Sequence, residues 1–517
     1  MSPRALEAAV FDLDGVVTRT AQVHLAVWTQ ALNEFLERQS RHSGETLRPF
    51  DENDYLAHVD GKPRLDGVRG FLASRAISLP EGSPLDPSSA DTVHALGKRK
   101  NILFLELLDR MGVEVDPVAV ELIRALRAAA VPVGMATSSR NAAAVLGTAG
   151  LERLFDAQVD GVVAAELGLR GKPSPDAFLE CARRLGGAPP ERTLVVEDAI
   201  PGVAAGRAGG FGLVLGVDRG DNWLRLREAG ADWIVHDLGE LSVNRLVGYL
   251  EARAHVRPSA LHAWPAIAAA LRGRRLAVFL DYDGTLTPIV ARPELAVLDE
   301  STRQTLRWLA EAWPTQIISG RGLEDIQRQI GIDSLWVAGS HGFDIAPPRG
   351  VPGGKQVAPE IEPEMHRAAE EVRQKTAGIA GVLVEDKRFS IAVHYRLVDE
   401  AMIPVVERAV DEVWARHPGL RKTDGKKVFQ LEPALDWDKG KALLWLLEAT
   451  GQREALPIYI GDDATDEAAL AALSDRGLGI VVTEMPRPTA ARYSLQNPFE
   501  VGAFLERLVS LGREVPR

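Results

Sequence analysis

The chain has a single cysteine, Cys181. No intramolecular disulfide can form and no thiolate cluster can hold a metal, so a reducing, cytoplasmic setting is expected. An excess of basic charge is also missing: 60 Lys and Arg stand against 72 Asp and Glu, a net charge of −12. Without a general attraction to polyanions, neither nucleic acid nor an anionic membrane surface is an expected partner. Long apolar runs are absent too. Asp12 and Asp14 interrupt the first apolar stretch, and Arg, Asp or Glu break the others well short of a membrane span. Small molecules are the partners left to consider, and nothing in the sequence points to a protein partner.

What the chain does have is length and repetition. Its 517 residues, 46% of them hydrophobic, suffice for more than one core. "VFDLDGVVTRT" (Val10 to Thr20) is echoed by "VFLDYDGTLTPI" (Val278 to Ile289) about half a chain later, a spacing that suits tandem domains rather than a solenoid. Around each copy, short apolar strands alternate with helices, as in "VPVGMATSS", "TLVVEDA" and "FGLVLGVD", then "TQIISGR", "LWVAGSHG" and "PIYIGDDATDEAAL". The fold class expected is α/β: two tandem Rossmann-like parallel-sheet domains. A helical insertion over about 20–110 interrupts the first, and an α+β insertion over about 345–435, with "VLVEDKRFSIAVHYR" as a strand pair, interrupts the second. The domain bounds expected are 1–250 and 271–517, joined by a linker at 251–270.

An apolar strand ending in Asp-x-Asp-Gly sets two carboxylates just past the carboxyl end of a strand, where open α/β sheets bind ligands, and the glycine allows a sharp turn. The bland alternative is a turn that only bends the chain. A calcium loop fails, because neither copy has the alternating oxygen ligands and distant Glu. The order of later residues favours a site. Thr137-Ser138-Ser139, Lys172 and Glu197-Asp198 follow Asp12 and Asp14; Ser319-Gly320-Arg321, Lys439 and the acidic run with Asp462, Asp463 and Asp466 follow Asp281 and Asp283. Carboxylate pair, hydroxyl, lysine and acidic pair thus occur twice in one order.

This set resembles the haloacid dehalogenase superfamily of phosphotransferases. The resemblance implies that Asp12 and Asp281 are nucleophiles forming an aspartyl phosphate, and that Asp14 and Asp283 are general acid–base groups. It implies that Thr137 and Ser319 bind phosphoryl oxygens while Lys172 and Lys439 offset charge at the nucleophile. Mg2+ is the implied cofactor, drawn from Asp12, Asp14, Glu197 and Asp198 in one half and from Asp281, Asp283, Asp462 and Asp466 in the other, Asp14 and Asp283 through their backbone carbonyls.

Over about Ala270 to Leu511 the second half is similar to trehalose-6-phosphate phosphatases, through "LDYDGTLTPI", "ISGR", "GSHGFDI", "VEDKRFSIAVHYR" and "GDDATDE". That likeness implies Arg321, His341, Glu385, Lys387 and Glu432 as substrate ligands. Over about Ala9 to Leu238 the first half resembles β-phosphoglucomutases, through "FDLDGVVTRTAQVHLAVW", "VDGKPR" and "GKRKN". It implies His24, Arg64, Lys100, Ser138, Arg140 and Asn141 as substrate contacts, with cap cations gripping the far side of a phosphosugar. Arg19 stands where such mutases have an acidic residue, and Gly44 to Asp54 is longer than a minimal cap needs. A sugar-phosphate phosphatase and a non-catalytic phosphosugar-binding module are the other readings of this half; a different sugar phosphate is the alternative for the second. The resemblance further implies that the cap closes over bound substrate.

Overall fold

In the computed structural model, residues 5–220, 222–290, 295–425 and 427–514 are described. The chain divides into two units, Met1–Ala254 and His255–Arg517.

The core of the first unit is a parallel sheet of six strands: β1 (Ala8–Phe11), β2 (Val133–Ala136), β3 (Ala157–Val159), β4 (Thr193–Glu197), β5 (Leu213–Val217) and β6 (Trp233–Val235). Their order is β3-β2-β1-β4-β5-β6, with Ala9 opposite Val133 on one side and Leu194 on the other. Every residue of β1, β2, β4 and β5 is buried, which is why they read as unbroken apolar runs. The chain fills one side of β1 and then the other, making the carboxyl end of β1 the switch point where such sheets hold ligands. The insertion packs helices Ala21–Ser43, Arg64–Ser74 and Val93–Met111 around Trp28, Leu32, Phe35, Phe50, Phe71 and Leu96. Helix Ala21–Ser43 ends at Gly44, whose left-handed backbone (φ 75°) sends its N–H to the Ser40 carbonyl.

The second unit begins inside the stretch read as linker, which carries a helical turn at Ala252–His255 and the start of helix Trp264–Leu271. Its core strands are β7 (Leu276–Leu280), β8 (Thr315–Ile318), β9 (Trp336–Gly339), β10 (Asp344–Ala346) and β11 (Lys355–Gln356). The insertion supplies β12 (Leu383–Asp386), β13 (Ile391–His394), β14 (Leu420–Gly425) and β15 (Val428–Pro433), after which the core resumes with β16 (Leu456–Gly461), β17 (Leu478–Val482) and β18 (Tyr493–Leu495). The core order is β11-β10-β9-β8-β7-β16-β17-β18. It is parallel from β9 to β18 but antiparallel at β10 and β11, because short turns rather than crossover helices join them to β9. The core sheet is therefore mixed. The insert is a separate antiparallel sheet, β12-β13-β15-β14, covered by helices Glu362–Thr376 and Ile403–Trp414 around Met365, Val372, Val393, Val410, Phe429 and Leu431. Among the described residues no helix is long and apolar enough to cross a membrane.

Candidate active sites

Asp12 follows β1 and Asp281 follows β7, each almost fully buried. Beyond each, the backbone closes the same turn: Gly15 N–H donates to Thr18 O (2.7 Å) and Gly284 N–H to Thr287 O (2.8 Å). Both glycines have positive φ, 90° and 81°, and a second constraint acts on them. A Cβ on Gly15 would fall 1.7 Å from Asp198 Oδ2, and one on Gly284 would fall 2.2 Å from Asp462 Oδ2. The glycine of Asp-x-Asp-Gly thus admits a distant carboxylate to the turn as well as bending it.

The lysines bridge two carboxylates. Lys172 Nζ lies 2.5 Å from both Asp12 Oδ1 and Glu197 Oε1; Lys439 Nζ lies 2.8 Å from Asp281 Oδ1 and 2.6 Å from Asp466 Oδ1. Burial would lower both ammonium groups, but the flanking carboxylates hold them above the usual lysine range. Burial, with Glu197 and Asp14 alongside, pushes the Asp12 carboxyl up to about 8 against the pull of Lys172. Burial with Asp466 and Asp462 likewise raises Asp281 against Lys439, and burial with Glu197, Asp60 and Asp12 raises Asp198. Each site therefore carries more negative charge than its lysine offsets, and a cation would relieve it.

The donor set suits a hard cation. Oxygens of Asp281, Asp462 and Asp466 lie within 4.8 Å of one another, and all-carboxylate donors fit Mg2+ rather than a thiophilic ion. Asp466 is nevertheless heavily engaged. Its Oδ1 accepts from Lys439 and from the Tyr459 hydroxyl (2.5 Å), and its Oδ2 accepts from the N–H groups of Asp462 (2.9 Å) and Asp463 (2.8 Å). Glu197 similarly serves Lys172 and, through Oε2, Ala199 N–H (2.8 Å). Of each acidic pair, Asp198 and Asp462 are the members packed against the turn glycine.

Thr137 and Ser319 sit one residue past β2 and β8, both buried. Each hydroxyl accepts the N–H two residues on, from Ser139 (3.1 Å) and Arg321 (3.2 Å), a turn-capping role compatible with donating its own hydrogen to a phosphoryl oxygen.

The second aspartates differ. Asp14 Oδ1 accepts from the Thr20 hydroxyl (2.5 Å) and lies 3.3 Å from His24 Nε2, while Lys100 Nζ is 2.8 Å from His24 Nδ1. Burial alone would raise Asp14; His24, Thr20 and Lys100 outweigh it and bring it to about 2. Burial and Lys100 lower His24; burial and Arg64 bring Lys100 down to about 7. Asp283 is instead clamped by Arg321, whose Nε and Nη2 each reach one of its oxygens at 2.7 Å.

In the first unit, Arg64, Lys100, Ser138, Arg140 and Asn141 line one cavity of about 80 Å3 with Asp12, Asp14, Thr137 and Lys172. The Ser138 hydroxyl donates to Gly61 O of the insert at 3.1 Å, and Asn141 Nδ2 donates to Asn101 Oδ1 at 2.8 Å. Arg19 lies outside that lining and pairs with exposed Glu114 at 3.0 Å.

In the second unit a cleft of about 890 Å3 takes in Asp281, Asp283, Arg321, His341, Glu385, Lys387, Lys439 and Asp462. Ser319 and Glu432 are not in its lining, but Glu432 Oε1 comes 3.2 Å from His341 Nε2. Neither atom has an aligned hydrogen-bond partner. Ser340 and His341 are both left-handed (φ 47° and 57°), a strained turn that puts the imidazole under Gly320, where a Cβ would fall 2.6 Å from its Cε1. Glu385 Oε2 pairs with His394 Nε2 (2.8 Å) and Lys387 Nζ (3.4 Å); burial would raise it, but His394 and Lys387 bring it to about 2.

Sequence reasoning passed over several residues of these clefts. Asp60 and Tyr55 line the first. Arg388 and Arg396 line the second, and Arg388 also ties the insert to Asp344 of β10 at 3.2 Å. The charges of the "EDKR" turn were visible; which side of the hairpin each faces was not.

A profile described as trehalose-phosphatase matches residues 279–498, and one described as haloacid dehalogenase-like hydrolase matches 6–210. Over 510 residues, 97% of the chain, it is 41% identical to an uncharacterised glycosyl hydrolase of Mycobacterium tuberculosis, but spans only 38% of that protein's length. Over 333 residues it is 41% identical to a trehalose-phosphate phosphatase of the same species, covering 63% of this chain and 84% of that one. A β-phosphoglucomutase structure from Clostridium difficile aligns at 23% identity and TM-score 0.38, over 47% of this chain and 95% of that one. With the site geometry repeated in both cores, the two profiles and the mycobacterial phosphatase place the chain in the trehalose-phosphatase family, its first unit among the haloacid dehalogenase-like hydrolases.

Proposed function

We propose that the second unit hydrolyses trehalose 6-phosphate to trehalose and phosphate, and that the first is a phosphotransferase acting on a glucose phosphate. The observation that carries the reading is the lysine-bridged carboxylate pair at the end of the central strand, built twice with different side chains.

In the second unit Lys439 holds Asp281 by Oδ1, which leaves Oδ2 to attack phosphorus. As that O–P bond forms, the bond to the sugar oxygen breaks, and Asp283 donates the proton the leaving alkoxide needs. Water then attacks phosphorus and gives its proton to Asp283; phosphate leaves and Asp281 is restored. Bound Mg2+, held by Asp281, Asp462 and the Asp283 carbonyl, would supply charge neutralisation at the phosphoryl oxygens. Arg321 occupies both Asp283 oxygens, so productive binding has Arg321 exchange Asp283 for the ester phosphate, and the freed carboxylate takes up a proton from solvent to become the acid. Ser319 donates to a phosphoryl oxygen. Glu385 and Lys387 grip sugar hydroxyls from the insert, and His341, backed by Glu432 at 3.2 Å, faces the cleft as a further hydroxyl ligand.

In the first unit Asp12 takes the nucleophile's role, with Asp12 and Asp198 as cation ligands, while Asp14, kept ionised by His24, Thr20 and Lys100, acts as the base until it has taken a proton from an attacking hydroxyl. Arg64, Lys100 and Arg140 in the cavity lining favour a substrate with a second anionic group, hence a phosphomutase over a phosphatase. Arg19, facing Glu114, does not count against it.

The test is a panel of sugar phosphates given to the full chain and to Asp281→Asn and Asp12→Asn variants. Phosphate release from trehalose 6-phosphate is expected to need Asp281, and conversion of glucose 1-phosphate to need Asp12. Preference for another disaccharide phosphate, or glucose 1-phosphate turnover that survives Asp12→Asn, would overturn the corresponding half.

A further inference from the structure

The loop that carries Asp462 is held from behind. Arg487, in the segment after β17, sends Nη2 to the carbonyls of Asp462 (3.2 Å) and Asp463 (3.4 Å) and pairs Nη1 with Glu467 Oε1 (2.7 Å). The other Glu467 oxygen accepts from the Thr489 hydroxyl (3.1 Å) and Ala490 N–H (2.9 Å). Glu467 opens the helix Glu467–Ala472, so one carboxylate ties the acidic loop's helix to the segment carrying Arg487.

That segment is gripped in turn by Arg257, whose Nε donates to Ala491 O and Nη2 to Thr489 O, both at 2.9 Å. Arg257 lies in the 251–270 stretch between the two cores. Its own carbonyl accepts from the Ser494 hydroxyl (2.9 Å). Pro258 O accepts from Ser494 N–H (3.0 Å), and Ala260 N–H donates to Ser494 O (2.9 Å). The stretch is thereby docked alongside β18 in parallel register. A spacer needs none of these bonds. A guanidinium donating twice to backbone carbonyls in a rigid fork fixes the position of the chain it holds.

We propose that Arg257 and Arg487 form a positioning relay for the second active site. The stretch preceding the core clamps residues 489–491, these hold Glu467 and Arg487, and Arg487 aims the Asp462 backbone so that its carboxylate meets the cation. The phosphatase region is then not self-sufficient at residue 279, where its family likeness starts; it includes Arg257. This rests on the phosphatase reading for its kinetic consequence but not for its binding consequence.

The test uses the full chain with Asp198→Asn, which weakens cation binding at the first site. Mn2+ binding is followed by electron paramagnetic resonance, and phosphate release by its Mg2+ dependence. Loss of a partner behind a metal ligand costs about 10–100-fold in affinity, so Arg487→Ala and Arg257→Ala are expected to weaken Mn2+ binding about tenfold or more. The Mg2+ needed for half-maximal turnover should rise in step, while KM for trehalose 6-phosphate at saturating Mg2+ stays unchanged. Arg257→Lys should recover part of the loss. Thr489→Val, a milder change deleting the hydroxyl's hydrogen bond to Glu467 and the one it accepts from Ala491 N–H, should cost about threefold and serves if an alanine variant fails to fold. Unchanged Mn2+ affinity in the folded variants, or a rise in KM without a change in cation dependence, overturns the relay. If the parent binds Mn2+ through the relay but releases no phosphate from trehalose 6-phosphate, the relay stands and the phosphatase reading falls.

Discussion

Glu197 and Asp466 fill the same place beside the lysine from opposite ends of the acidic loop. The residue before Asp198 is Glu197, and the residue four after it is Gly202; around Asp462 the same positions hold Gly461 and Asp466. A Cβ on Gly202 would fall 1.7 Å from Glu197 Oε1, and one on Gly461 would fall 2.4 Å from Asp466 Cγ. Each unit has room for one carboxylate there, and the glycine marks the direction it does not come from. The second unit should therefore accept the first unit's solution in the double variant Gly461→Glu/Asp466→Gly. Asp466→Gly alone takes one carboxylate from buried Lys439, a loss of about 3–5 kcal/mol. Gly461→Glu alone overpacks against Asp466, costing about 1–3 kcal/mol. Independent effects would sum to about 4–8 kcal/mol, whereas the double variant should lose only about 1–3 kcal/mol, from the second N–H bond and the Tyr459 hydroxyl bond that Asp466 accepts. Differential scanning calorimetry reads this: near 2–4 °C per kcal/mol for a domain of roughly this size, Asp466→Gly should drop its transition by about 6–20 °C and the double variant should recover most of it. A double variant as unstable as the sum of its parents would refute the shared-place argument.

Arg321→Ala removes the cation expected to pass from Asp283 to the ester phosphate, and kcat/KM for trehalose 6-phosphate should fall about 10²–10³-fold; a rise would mean that the ion pair merely inhibits. The first site should be pH-sensitive through Lys100, which burial and Arg64 bring down to about 7. A lowered lysine is charged below that pH and neutral above it, so KM for a glucose phosphate should climb from about pH 6 to about pH 8. Lys100→Arg should flatten the climb relative to the parent, and an unchanged profile would remove Lys100 from the binding wall.

The repeated frame was legible because it depends on local pattern. Apolar runs bounded by Asp, Thr, Ser or acidic pairs mark strand ends, and Asp12, Asp281, Thr137, Ser319, Asp198 and Asp462 all lie within a residue of one. Trp28, Leu32, Phe35 and Leu36 announced one face of a helix by spacing and are buried together. What stayed hidden depends on contacts between distant residues. The bidentate hold of Arg321 on Asp283, the relay from Arg257, and the choice between −1 and +4 for the lysine's second carboxylate have no sequence period. Tyr459 reads as one more apolar strand residue, yet its hydroxyl reaches Asp466. The antiparallel β10 and β11 escaped because strands of three and two residues are too short to show alternation.

The central claim is a transient bond between an oxygen of Asp281 and phosphorus. Rapid acid quenching during turnover of trehalose 6-phosphate, followed by peptide mass spectrometry, should find a phosphoryl group on Asp281 that is absent in Asp281→Asn. Turnover with no adduct at Asp281, or with the phosphoryl group on another side chain, would contradict it.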